Sequence, residues 1–476
     1  MRMITANGMS ALRRMITVAC IAAGVLSSTL LLASNLPRGD NPAGGVVLDR
    51  FMREGLGNRR AFGLLTELIR SAPNRLSGSA GADAAVRAAQ RMMRGLGFTN
   101  IRTEPVMVPH WERGRVESAV VELPDGKVIP MSVCALGGSI ATPSAGIAGT
   151  VIEVHSLSEA ESLGTTAKGK IVFFNRPMDP GKFDTFDAYG GAVDQRSGGA
   201  VAAARAGAVA VLVRSMTLAT DGVPHTGGLS YDAKVRKIPA AAISTRDADM
   251  LSELLKAQRR GRVRLKLSCR TLEDAPSANV MGEIVGSEHP EEVIVIGGHL
   301  DCWDKGNGAH DDGSGCAQAL EALDLIRRAG LVPQRTIRAV LFMNEENGLR
   351  GGHAYAAGPH RAGEKHVAVI ESDRGGFAPR GFTVDADSVV LQGVNQWAPL
   401  FELIDAGIIR HGGSGADISP LVAKGVPGFG LFPESQRYFD YHHSANDTLD
   451  KVNPRELELG AIAEALLAFL ISEKGL

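Results

Sequence analysis

Apolar residues recur at the helical period over Arg60–Ile69 and Gly81–Leu96, and Gly97 closes the second stretch. Strand-like segments follow over Asn100–Val108 and Val116–Leu123. From about residue 131 the pattern changes to short continuous apolar runs. These predict buried strands over Lys170–Phe174, Ala208–Arg214 and Ile238–Ser244. A helix is expected over Val193–Ala206, with Gly198 and Gly199 weakening its start. From about residue 273 four apolar strands appear, Glu292–Gly297, Thr336–Met343, His366–Ile370 and Gly428–Phe432. Helices such as Gly315–Gly330 lie between them, and the chain closes on Arg455–Ser472, expected to be amphipathic.

Strand and helix alternation of this kind predicts an α/β fold, a mixed but mostly parallel sheet with helices on both faces. A chain of 476 residues exceeds one compact core. The changes of rhythm divide it into a first α/β part over 35–130, an inserted β-rich module over 131–272, and a second α/β part over 273–476.

Residues 1–34 change the picture of where the chain works. Arg13 and Arg14 precede the apolar run Met15–Ala33, and the small and polar stretch Ala33-Ser34-Asn35 suits a cleavage site. The expectation is an export signal and a periplasmic or secreted protein. An uncleaved N-terminal membrane anchor is the alternative, because the run is almost long enough to span a bilayer. Beyond the signal stand Cys134, Cys269, Cys302 and Cys316, whose spacing matches no zinc-finger pattern. Lys plus Arg number 51 against 52 Asp plus Glu, which argues against nucleic acid as a partner.

The candidate chemistry gathers just after the predicted strands. His299 and Asp301 follow one, Glu345 and Glu346 another, and Asp373 a third. In open parallel sheets ligands bind beyond the carboxyl ends of the strands, so these residues should converge on one edge. Asp311 and Asp312 lie in the Gly-rich loop after one of those strands. Imidazole and carboxylate are the donors that suit zinc, and two ions need a bridging carboxylate. A ligating His usually donates its other N–H to a carboxylate, which gives His299-x-Asp301 a physical meaning. An isolated Glu-Glu pair is ordinarily a solvated surface feature, and an isolated Asp-Asp-Gly a turn. Their joint placement at strand ends argues for the site.

At these residues the sequence is recognisable. Gly297-Gly-His-Leu-Asp-Cys-Trp-Asp304, Asp311-Asp312, Asn344-Glu-Glu346, Glu371-Ser-Asp373 and His442-His-Ser444 through Asp447-Thr448 resemble the M28 family of zinc metallopeptidases. That family includes bacterial zinc aminopeptidases and glutamate carboxypeptidases. Arg75-Leu-Ser-Gly-Ser79, Pro109-His-Trp-Glu-Arg-Gly114, Pro224-His-Thr-Gly227 and Lys237-Ile-Pro239 look like one subgroup of it.

The resemblance implies the zinc exopeptidase fold, with the insert a protease-associated domain capping the active site. It implies two zinc ions per chain, held by His299, Asp311, Glu346, Asp373 and His443, with Asp311 bridging. Glu345 would be the general base, Asp301 would stand behind the metal ligands, and the peptide after Asp311 would be cis. It also implies a homodimer and a short peptide or dipeptide substrate. Asp417 aligns with a residue lining the substrate pocket. His442 stands where some members carry a Tyr that donates to the oxyanion, so Tyr441 or His442 is the candidate donor. Cys302, where close relatives have Ser, is expected to be a small structural residue. Two other readings are a single-zinc acyltransferase of the glutaminyl cyclase type and a receptor-like ectodomain without catalysis.

Overall fold

The computed structural model describes residues 42–476 apart from 260 and 359–362. The expected export signal or anchor lies outside the described residues. The chain separates into a unit Met1–Asp49, whose described part is the start of the helix Pro42–Asn58, and a unit Arg50–Leu476 to which everything below belongs. No helix among the described residues is long and apolar enough to cross a membrane.

An eight-stranded sheet carries the fold, in the spatial order Thr99–Val108, Ala275–Ile284, Arg335–Phe342, His289–His299, Lys365–Glu371, Gly428–Pro433, Pro379–Asp385 and Ile408–His411. Its four middle strands, Arg335–Phe342 through Gly428–Pro433, run parallel. The flanks add antiparallel neighbours at Ala275–Ile284 and Pro379–Asp385, so the sheet is mixed. Alternation along the strands separates two packing faces. Val293 and Val295 pack with Val340, Phe342, Tyr355 and Ile418 on one face. Helices Ser314–Arg328 and Pro454–Lys474 pack against the sheet and against each other.

The last helix departs from expectation. It is not amphipathic, because nearly every residue from Leu457 to Ser472 is buried. A helix covered on every side needs no polar face, and its largely apolar run over residues 461–471 carries no amphipathic stripe. Within it Glu464 is fully buried, and neither carboxylate oxygen has a hydrogen-bond partner among the described residues. Burial pushes this carboxyl well above its ordinary range. The folded protein therefore keeps a proton that the unfolded chain releases above about pH 4.3. Stability from this group falls as pH rises through that unfolded value toward the folded one. Glu464→Met is expected to stabilise the protein by about 1–3 kcal/mol at neutral pH. Urea unfolding at pH 4.5 and 7.5 should show the gap between variant and wild type widening at the higher pH.

Among the described residues, no strand between 111 and 271 pairs into the eight-stranded sheet. Val133–Ala135, Ala240–Ile243, Ala210–Arg214, Ile171–Phe174 and Val151–Val154 form a five-stranded sheet, and Val128–Met131, Glu117–Glu122, Arg262–Leu267 and Ile147–Gly149 a four-stranded one. Glu117–Glu122 thus leaves the first α/β part, and the change of sheet comes near residue 110 rather than 130. The expected helix over 193–206 is broken into Asp194–Ser197 and Gly199–Arg205. A Cβ on Gly199 would come within 2.9 Å of the Phe174 ring, so close helix–strand packing requires glycine there. Helices Leu157–Ser162 and Thr245–Lys256 make this segment α/β rather than purely β-rich. Cys134, Cys269, Cys302 and Cys316 are all free and buried.

Candidate metal centre and substrate cavity

The strand His289–His299 ends on His299 itself. Its parallel neighbours end at Phe342 and Glu371, so Glu345, Glu346 and Asp373 leave the sheet at the same edge. Gly428–Pro433, parallel to Lys365–Glu371, leads into the helix Tyr438–Tyr441 and then His442 and His443. Asp311 comes from the loop before helix Ser314–Arg328, and its peptide bond to Asp312 is cis.

These side chains meet around one carboxylate. Asp311 Oδ1 lies 3.2 Å from His299 Nε2, which is also 3.5 Å from Asp373 Oδ1. Asp311 Oδ2 lies 3.2 Å from His443 Nε2, which is also 3.0 Å from Glu346 Oε2. His442 Nε2 approaches the same Oδ2 at 3.8 Å. One carboxylate therefore faces two separate groups of donors. His299, Asp311 and Asp373 form one such group, and Asp311, His442 and His443 the other, the ligand atoms of each lying within 4.8 Å of one another.

The electrostatics fit a cation. Burial works against a charged His299, yet its hydrogen bonds to Asp311 and Asp373 outweigh burial and hold the imidazole well above its usual pKa. His443 is likewise held up to about 10, with Glu346 and Asp311 overcoming burial. Burial, then the Asp311 charge, lifts Glu346 to about 7. Glu345 is pushed well above the carboxylate range by burial and by Asp373, Glu346 and Asp311, against the pull of His299. Crowded carboxylates of this kind are relieved by a divalent cation, and buried Asp311 Oδ2 has no conventional hydrogen-bond donor among the described residues. Because ligation requires neutral imidazole, metal binding near pH 7.5 should displace the His443 proton. Calorimetry in two buffers of different ionisation enthalpy should show net proton release, and affinity should rise between pH 6 and 9. Net proton uptake would contradict the ligand set.

Asp301 does other work than expected. The His299 Nδ1 partner is the Asp301 backbone carbonyl at 3.1 Å, with the carboxylate farther off at 3.8 Å. Asp301 Oδ1 instead accepts the amides of Asn344 at 2.8 Å and Glu345 at 3.1 Å. It fixes the backbone that presents Glu345, immediately after Asn344 at φ 77°.

Two residues quoted only within motifs hold the loops. Asp447 accepts the amides of His310 at 2.7 Å and Asp311 at 3.1 Å. Fully buried Arg75 donates to the carbonyls of Leu300, Asn307 and Gly308 at 2.6–2.7 Å. A buried Arg on three carbonyls has no sequence periodicity, so only its motif could have pointed to it.

The centre opens into a cavity of about 670 Å³. Glu345, Glu346, Asp373 and His442 line it from the sheet edge, and Tyr189 and Arg196 from the 111–271 segment. Tyr441 does not face it. That ring stacks on His310 at 5.3 Å, while Tyr438 lines the wall. Tyr438 was missed because a Tyr inside Tyr438-Phe-Asp-Tyr441 looks like packing. Asp417 is also outside the lining. It is 1% exposed, both its oxygens lack hydrogen-bond partners among the described residues, and burial pushes its carboxyl well up. Glu371 holds its loop by accepting the amides of Ala416, Asp417 and Ile418. Cys302 is buried under the loop with its thiol pushed up to about 12, which suits a structural residue.

The sequence model of peptidase family M28 matches residues 279–470. Carboxypeptidase Q of Bos taurus is 37% identical over 420 residues, covering 88% of this chain and 86% of that protein. The chain belongs to peptidase family M28. A solved peptidase M28 precursor from Shewanella amazonensis SB2B superposes with a TM-score of 0.87 at 34% identity, covering 91% of this chain and 97% of that one. A zinc aminopeptidase from Bacillus subtilis shares the fold, with a TM-score of 0.62 at 20% identity over 86% of this chain and 94% of that one. As an M28 member the chain is a zinc metallo-exopeptidase.

Proposed function

We propose that this M28 peptidase is an exported, dinuclear zinc exopeptidase acting on short peptides or dipeptides. The observation that carries the dinuclear reading is Asp311, whose two oxygens face His299 with Asp373 and His443 with Glu346. When bound, the zinc pair supplies Lewis acidity and a water acidic enough to be deprotonated at neutral pH.

The chain's own groups do the rest. Glu345, on the cavity wall with its backbone held by Asp301, takes a proton from the attacking water. It returns that proton to the amine nitrogen as the C–N bond breaks. Tyr438 and His442 line the same cavity, which supports them as donors to the carbonyl oxygen. Arg196 Nη1 lies 3.4 Å from His443 Nδ1. Once Nε2 of His443 is a ligand, Nδ1 carries the proton and cannot accept from a guanidinium. Arg196 is then free to bind a carboxylate, which favours substrates with a free C-terminus.

The 111–271 segment is assigned as a cap on a discontinuous peptidase domain, and a homodimer is the assembly to test by light scattering. Metal analysis after mild dialysis should return two zinc ions per chain. A ceiling of one with zinc added back would favour the single-zinc acyltransferase. A panel of free, N-acetylated and C-amidated dipeptides should show amidation lowering kcat/KM by about 10-fold or more. Arg196→Gln should lower it for the free peptide and hardly change it for the amide. Equal loss on both would remove Arg196 from carboxylate recognition.

A further inference from the structure

Pro224-His-Thr-Gly227 belongs to the 111–271 segment, yet it touches the backbone of both His442 and His443. His225 Nδ1 lies 2.7 Å from the His442 carbonyl oxygen. A carbonyl only accepts, so Nδ1 carries the proton and donates. The Thr226 amide donates to the His443 carbonyl at 2.9 Å. At Gly227 a Cβ would lie 2.7 Å from His443 Nδ1, so this strip of backbone lies directly against the imidazole.

The strip is itself anchored. The His225 amide donates to Ser215 Oγ at 2.8 Å, and Ser215 Oγ donates to the Ile243 carbonyl at 2.7 Å. Thr226 Oγ1 donates to the Ala135 carbonyl at 2.8 Å, and the Gly137 amide to the Gly227 carbonyl at 2.9 Å. Ala135 and Ile243 lie in strands of the five-stranded sheet, Ser215 directly follows a third, and Gly137 lies just beyond Ala135.

His443 needs such support. Its φ of 58° places a non-glycine residue in the left-handed region, a conformation that persists where the surroundings over-determine it. His225 is 1% exposed, and its Nε2 has no hydrogen-bond partner among the described residues. The bond to His442 is thus the polar contact that accounts for a histidine at this position.

We propose that His225 and the Thr226 amide are a positioning clamp for His443, through which the 111–271 segment completes the half of the metal centre formed by Asp311, Glu346 and His443. The inference rests on the ligand set given under Proposed function. Removing a group that orients a ligand typically costs about 10–100-fold in metal affinity.

The test is competitive zinc titration of the full-length protein, with the cobalt-substituted spectrum and the Tm recorded alongside. His225→Ala should weaken one ion by about 10–100-fold and leave the other at its wild-type affinity. His225→Asn, whose amide can donate to the same carbonyl, should recover most of that loss. Zinc affinities and a cobalt spectrum unchanged in His225→Ala would overturn the clamp. So would an equal loss of both ions with a lowered Tm and no rescue by Asn, since that is a purely structural role. The reading beneath it is judged separately, on the wild type: one ion there fails the dinuclear assignment, while the clamp is judged on variant against wild type for whatever is bound.

Discussion

Glu345→Gln should lower turnover by about 10²–10⁴-fold and leave zinc content at its wild-type value. Glutamine keeps the size and one carbonyl oxygen of the side chain but cannot take a proton from water. Both glutamates line the cavity, but Glu346 also lies 3.0 Å from His443 Nε2 and accepts the Trp303 amide at 3.0 Å. The neighbouring variant should therefore behave differently. Glu346→Gln exchanges an anionic donor for a neutral one and should lose affinity for one ion along with activity. Metal analysis and steady-state kinetics on both variants separate the roles. Loss of zinc from Glu345→Gln with both ions kept in Glu346→Gln would exchange them, and full activity in both would end the mechanism.

Asp311→Ala should have the larger effect on metal, because its two oxygens face both donor groups. Each half of the centre would keep two candidate ligands, His299 with Asp373 and His443 with Glu346, fewer than zinc sites ordinarily use. Both ions should weaken together, and turnover should fall below detection under zinc concentrations that saturate the wild type. His299 and His443 should also change, since each is held above its usual pKa partly by Asp311. Their titration in the metal-free variant, followed by NMR, should move toward that of a buried, unpaired imidazole. One ion retained at wild-type affinity would show that Asp311 serves only half of the centre.

Much of this was legible before any coordinates. Short apolar runs just before His299, before Glu345 and before Asp373 predict strands, and a parallel sheet brings strand ends to one edge. The Gly-rich spacing around Asp311 and the His442-His443 pair carry the family resemblance. These are local signals, set by residue type and period, and they survive without tertiary detail.

Other features were settled only by packing. Glu117–Glu122 reads as a strand from its own residues, but which sheet it joins depends on Arg262–Leu267, far along the chain. The closing helix is covered on every side, Glu464 included, because the helices Arg60–Ser71 and Ser314–Arg328 and the sheet strands, distant in sequence, pack around it. Asp301 bonds to the Asn344 and Glu345 amides rather than gripping His299 with its carboxylate, a matter of ångströms that spacing does not encode. Asp417 and Tyr441, both candidates from the sequence, do not line the cavity, while Tyr438 and Arg196 do. Residue types and their order predicted the strands and the candidate donor set and carried the family resemblance. The pairing of distant strands, the direction of each side chain and the grip of His225 on the histidine pair were decided by tertiary structure, because burial and hydrogen bonding between segments far apart in sequence leave no periodic trace in either one.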